Sequence, residues 1–408
     1  MRRFCFCMMM LMCMALLSGC WNRMELNELG ITSATGFDRA NGEWLMAYQV
    51  IVPSVIALGS TSGSGGSGAA VHVFTTQGKT ISHALNRSYL ENARYLYFAH
   101  NNVLIIGQEA AKEGISPIID LYFRNTDSRE SVYVVISEGK ASDILKKLVP
   151  PENLPGSAIS EILQKEGRLS GYFPPIKMYE LAKQISSDSK SAGVPEIVIA
   201  GEEGNELESL DIFKKTSSKE KLKLSRLSVF EGDRLVGWMN WRESYGVSWL
   251  SDKIKRSSIT FSCPESDPQN KNASIRISSA RTQVTPIKDG KHFTMQIKVK
   301  AEGGLSELTC KGDLTEPRLI EKLEDEIEKE INNYINIGWE AVRKLKADLP
   351  GFAGYVHRKY PKEWNEVKEN WKEKELGEIK LDVQVNVKIK HPGFISNSYD
   401  LPDGEEGK

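Results

Sequence analysis

Beyond its first twenty residues the chain has no apolar run long enough to cross a bilayer, and no charge of either sign prevails. Crossing the hydrocarbon core takes about 20 apolar residues, so everything after that point is expected in water. Lys and Arg number 53 against 54 Asp and Glu, a formal net charge of −1. With no basic face to meet phosphates, nucleic acid is excluded as an expected partner. Catalytic signatures are also missing. There is no His-Glu-x-x-His, no Gly-x-Ser-x-Gly, no Walker loop and no Cys-x-x-Cys. The histidines at 72, 83, 100, 292, 357 and 391 stand singly, which argues against a metal site. Ser137 with Lys140 and Ser187 with Lys190 match a Ser-x-x-Lys dyad, a spacing expected by chance in a chain rich in both residues. No cofactor is expected and no residue is nominated as catalytic.

What is present starts at the N-terminus. Arg2 and Arg3 precede an unbroken apolar stretch, Phe4 to Leu17, whose 14 residues suit a secretory signal better than a permanent span. It ends in Leu17-Ser18-Gly19-Cys20, which resembles the lipobox of bacterial lipoproteins. There the Cys20 thiol takes a diacylglyceryl group before cleavage, and two acyl chains give the stable attachment that one cannot. Losing residues 1–19 leaves 389 of the 408, enough for two or three domains. Among these, 40% apolar and 26% charged residues over the whole chain are ordinary for a globular protein.

Cys5, Cys7 and Cys13 leave with the signal, so Cys263 and Cys310 are the cysteines that remain beside Cys20. Outside the cell they either form a disulfide, worth about 4 kcal/mol by chain-entropy reasoning, or stay as buried thiols.

Periodicity orders the rest. Strands are expected at Trp44–Val52, Val71–Thr75, Val103–Ile106 and Val132–Ile136, alternating with helices near 80–92, 115–123, 141–147, 158–165 and 179–186. Gly63 to Gly68 spells the glycine fingerprint of a dinucleotide site, but strand-like Val71 to Phe74 follows where a helix N-terminus is needed. It is read as a solvated loop. A polar linker is expected at Ser186–Gly193, then strands at Glu196–Ala200, Leu207–Phe213, Leu224–Phe230 and Arg234–Trp238, the last two joined at Glu231-Gly232-Asp233. Trp241–Leu250 reads as a short helix, and Trp238, Trp241 and Trp249 are read as core. In the last third, strands at 259–263, 274–284 and 293–301 precede a long amphipathic helix, Pro317–Leu349, with Leu323, Ile327, Ile331 and Ile335 along one stripe. Pro361 opens another helix, and Ile379 to Ile389 alternates as a strand with one buried face.

The order of short motifs resembles the C-type lipoprotein subunit of nutrient germinant receptors from spore-forming bacteria, the Ger(x)C family. The residues are Cys20-Trp21, Glu25-Leu26, Gly36-Phe37-Asp38, Thr76 to Thr80, and Arg94 to Asn101. Further along come Asn240 to Leu250, Lys359-Tyr360-Pro361 with Trp364 and Trp371, and Pro392 to Ile395. The likeness covers nearly the whole chain after Cys20, the Gly/Ser run at 59–68 being a departure. It implies a non-enzymatic lipoprotein on the outer face of the spore inner membrane, beside integral-membrane A-type and B-type subunits. It also implies an α+β fold of three mixed α/β domains, at 20–192, 193–255 (small and β-rich) and 256–400, the last an antiparallel sheet packed on the long helix. A solute-binding lipoprotein of a transporter would need two similar lobes, and a cell-envelope hydrolase a carboxylate or metal constellation. Neither pattern is found.

Overall fold

The computed structural model describes residues 2–4, 6, 8–9, 25–59, 68–125, 127–202, 204–264, 266–267, 271–290, 292–309 and 314–391. Its first strand, β1 (Leu29–Ala40), is one that hydrophobic periodicity does not reveal. Its centre is Ser33-Ala34-Thr35-Gly36, small and polar, yet it is buried on both faces. It pairs antiparallel with β2 (Glu43–Ile51) and parallel with β4 (Tyr95–Tyr97) and β5 (Val103–Gly107). Small side chains are what such a crowded position requires: a Cβ on Gly36 would sit 3.0 Å from side-chain carbons of Ala141 and Leu145.

Around this strand lies a ten-stranded sheet with β3 (Val71–Gly78), β6 (Tyr133–Ser137), β7 (Ile176–Lys177), β8 (Ser191–Gly201), β9 (Glu220–Glu231) and β10 (Arg234–Met239). The order is β10-β9-β8-β6-β5-β1-β2-β3, with β4 on β1 and β7 on β6. Its centre is parallel, and antiparallel strands flank it on both sides. A strand covered on both faces needs apolar residues at every position. In β5, Leu104 and Ile106 enter one core while Val103 and Ile105 enter another on the opposite face. Helices Ile81–Ser88, Ser116–Arg124 and Met178–Ile185 supply buried residues to the first core, and Ala141–Leu145 and Pro155–Leu169 to the second. Gln49, fully buried on β2, ties the second layer down. Its Nε2 donates to Leu145 O (2.8 Å), and its Oε1 accepts from Ser33 Oγ (2.8 Å) and Gly156 N (3.0 Å).

The second sheet holds β11 (Ser257–Ser262), β12 (Lys271–Asp289), β13 (His292–Leu308) and β14 (Lys380–His391), in that order. The first three are antiparallel as expected, but β14 runs parallel to β13. The connection explains it, since parallel neighbours need a long crossover and this one carries the helix Pro317–Leu345. That helix buries Leu323, Ile327, Ile331, Ile335 and Val342 against the sheet. Proline opens it, and it ends at Leu345, four residues before Leu349, where Lys346 turns into the left-handed region at φ 51°. The fold is thus α+β with a C-terminal sheet on one long amphipathic helix.

Two expectations about the middle of the chain are corrected. Leu207–Phe213 forms two 3₁₀ turns, Glu206–Glu208 and Leu210–Lys214, instead of a strand. Ser209 Oγ accepts from Asp211 N at 3.2 Å to cap the second turn, and Leu207 and Ile212 pack on Leu148. The stretch 193–255 does not build a sheet of its own. β8, β9 and β10 join the N-terminal sheet, and the supposed linker already contains the start of β8, with Ser191 and Ala192 buried. Its helix, Trp241–Leu250, packs in the C-terminal core.

Candidate functional site

Cys20 and its lipobox, Cys310, and residues 60–67 of the Gly/Ser run lie outside the described residues. Cys263 is buried at the end of β11, is disulfide-bonded, and donates its N–H to Asn272 Oδ1 at 2.8 Å. Among the described residues no three His, Cys, Asp or Glu side chains come together as a metal site. The Ser-x-x-Lys matches are turns. Ser137 Oγ donates to Gly139 O (2.9 Å) and Ser187 Oγ to Gln184 O (2.6 Å).

The motif residues do have definite work, and it is structural. Asp38 ends the Gly-Phe-Asp motif on β1 and is almost fully buried. Its two oxygens accept from Ala141 N (2.7 Å) and Ser142 N (3.0 Å), so it caps the short helix Ala141–Leu145 from across the sheet. Burial pushes its carboxyl above the ordinary range, with those two amides pulling the other way. Gly107 makes room for it, because a Cβ there would lie 2.1 Å from Asp38 Oδ1.

The middle motif is a helix built for close approach. Asn240 Oδ1 accepts from Arg242 N and Glu243 N, while Glu243 Oε2 accepts from Asn240 N at 2.8 Å, a complete capping box. Two turns on, Gly246 meets Gly338 of the long helix. A Cβ on Gly246 would lie 1.9 Å from Tyr334 O, and one on Gly338 2.5 Å from Val247 N. The tryptophans of this region divide. Trp249 is fully buried, Trp238 is half-buried beneath the Arg226 guanidinium at 4.9 Å, and Trp241 is 41% exposed. Tyr172, Tyr245 and Tyr334 complete an aromatic group with Trp241.

The C-terminal motif forms a second clamp. Asp348 is buried after the long helix and accepts from Phe352 N (2.8 Å), Ala353 N (2.7 Å) and Trp371 Nε1 (3.1 Å). Trp371 in turn meets Trp364 edge to face at 5.3 Å. Neither clamp was visible to periodicity. Only the isolated carboxylates inside apolar stretches hinted at them.

Two family descriptions match the chain, and together they span most of it. Residues 22–199 match "Spore germination protein N-terminal domain" and residues 225–393 match "Spore germination B3/GerAC like, C-terminal". The chain belongs to the GerAC-like family of spore germination proteins. Among its relatives, Spore germination protein KC of Bacillus subtilis (strain 168) is 28% identical over 401 residues, covering 97% of each chain. Spore germination protein A3 of the same organism is 25% identical, over 94% of this chain and 96% of its own. The crystal structure of the GerBC protein superposes with a TM-score of 0.51 at 17% identity, over 87% of this chain and 96% of that one. That likeness is one of fold. Within the GerAC-like chain, the clamps at Asp38 and Asp348 and the Gly246–Gly338 contact account for three of the motifs by packing and capping alone.

Proposed function

We propose that the chain is the lipid-anchored, non-catalytic subunit of a nutrient germinant receptor, held through Cys20 at the outer face of the spore inner membrane. Its partners there are the integral-membrane A-type and B-type subunits. The lipobox carries this reading: fourteen apolar residues behind two arginines, ending in Leu-Ser-Gly-Cys, at the head of a chain whose full length matches germination proteins. No helix among the described residues is long and apolar enough to cross a membrane, so attachment is assigned to lipid. The two sheets, ten-stranded and four-stranded, are unlike each other and speak against the paired lobes of a solute-binding protein. The domain limits are proposed as a first unit from residue 20 through β10, and a second from residue 241 to about 400. The disulfide of Cys263 is assigned to Cys310, the other cysteine remaining beside the lipidated Cys20 once the signal is removed.

Spores lacking the gene test the reading when given single nutrients and, separately, a nutrient-independent trigger. Loss of response to some nutrients with the independent trigger intact is the expected result. A normal response to every nutrient, in spores also lacking the paralogous receptors, would overturn it. For the anchor, Cys20→Ala is expected to leave the membrane fraction, and unchanged fractionation would sink the lipid claim.

A further inference from the structure

The long helix covers one face of the C-terminal sheet, and among the described residues no element covers the opposite face. Arg276, Arg281, Lys298, Lys300, Gln384 and Asn386 all point from it and are all exposed. Among the described residues, the four cations of this set have no ion-pair partner, whereas Lys388 and Lys390 on the neighbouring end of β14 pair with Glu324 and Glu302. Two of them are direct cross-strand partners, Arg281 opposite Lys300. Like charges so placed oppose pairing of the strands, so folding does not account for them.

A transverse row across all four strands forms a notch in this face. Ser258 pairs with Arg276, Arg276 with Gly304, and Gly304 with His391. Gly304 contributes no side chain, which leaves a gap between the arginine and the imidazole. Arg256 and Leu169 wall one side, and the open cleft measures about 840 Å³. Among the described residues no carboxylate lines it.

We propose that this face lies on an anionic phospholipid surface, with the Arg276–His391 notch taking a phosphate headgroup. The proposal rests on the lipid anchor, which would hold the chain within reach of headgroups. Charge complementarity supports it from both sides of the layer. The sheet face is basic, while residues 317–330 of the helix behind it carry six acidic residues against three basic ones. That polarity turns the basic face toward a negative surface and the acidic helix away. A protein partner is disfavoured by composition. Interface centres gather aromatic residues and are depleted in lysine, whereas this face offers lysine, arginine, glutamine, asparagine, serine and threonine, with Glu302 paired to Lys390, Asp382 accepting from Gln296, and Ile287 at its margin.

The full lipidated chain is added to phosphatidylcholine vesicles, or to the same vesicles containing phosphatidylglycerol, then floated and labelled with a lysine-acylating reagent. Flotation is expected with both. Lys298 and Lys300 should lose reactivity several-fold with the anionic vesicles alone and regain it in high salt, while Lys329 and Lys214 stay unchanged. Arg281→Gln with Lys300→Gln, remote from the core, should abolish the protection of Lys298. Flotation on anionic vesicles only, reversed by salt, would support the basic face while sinking the anchor. Equal reactivity of Lys298 and Lys300 on both kinds of vesicle, or no flotation on either, would overturn the proposal.

Discussion

Glu324 of the long helix reaches the open edge of the last strand, where its Oε1 accepts from the amide of Ile389 at 2.9 Å. Its Oε2 pairs with Lys388 at 2.8 Å, and one turn later Glu328 Oε1 accepts from Val387 N at 2.9 Å. An edge strand presents unpaired amides that recruit other chains. Here two carboxylates from the covering helix occupy alternate amides of β14 and close that template.

Removing the cover has two expected effects. Glu324→Ala loses a charge-assisted bond and leaves a partly buried amide unpaired, a loss of about 1.5–3 kcal/mol, read in urea unfolding. It also frees the edge, so the variant should show concentration-dependent association by light scattering. Unchanged stability together with a monomeric variant would refute the edge-cover role.

The Gly246–Gly338 contact makes a sharper demand. Gly246→Ala forces its methyl onto Tyr334 O, and overpacking of this kind costs about 1–3 kcal/mol. Gly377→Ala, where no neighbour lies within 4 Å of the added carbon, should change stability little. The pair of unfolding curves decides the matter.

Asp348→Ala strands two buried amides and the Trp371 indole N–H at once. A single buried group left unpaired costs about 1–3 kcal/mol, so this variant is expected to be the least stable of those named. Trp371 should report the loss as a shift in tryptophan fluorescence.

Acid should act locally at Glu206. Its carboxyl is held down to about 2 by the Lys215 ammonium first, then by the Lys219 amide, while Ser218 also donates to it. A carboxyl lowered on folding stabilises its loop above its ordinary range, near 4.5, and that support is lost as pH falls toward 2. Hydrogen exchange at Lys219 N, corrected for intrinsic rates, should therefore rise between pH 4.5 and 2. In Glu206→Gln it should already be fast at neutral pH.

Cys263→Ser should cost about 2–5 kcal/mol, the usual loss for a native disulfide. A non-reducing peptide map should show Cys263 joined to the peptide containing Cys310.

Much of this fold could be read from pattern alone, and the failures have causes. The C-terminal third was legible because Leu323, Ile327 and Ile331 repeat at helical spacing and Val383, Val385 and Val387 at strand spacing. β1 was not, because a strand squeezed between two helical layers selects small residues, and Ser33-Ala34-Thr35-Gly36 carries no periodic signal. Leu207–Phe213 has apolar residues enough for a strand, but Ser209 competes for the backbone and turns it. The direction of β14 was hidden because alternation is the same in parallel and antiparallel strands. Of the candidate sites, the lipobox-like Leu17-Ser18-Gly19-Cys20 is a local motif and stands in the sequence. The basic sheet face needs four strands in register, which no linear pattern displays.

Asn240 alone separates the end of β10 from the helix Trp241–Leu250, and it is already committed to capping that helix. A swivel at this seam would have to undo a capping box and part Leu227, Val229 and Met239 of the first sheet from the core they share with Tyr245, Val247 and Trp249. The two sheets are therefore spliced at this seam, not hinged.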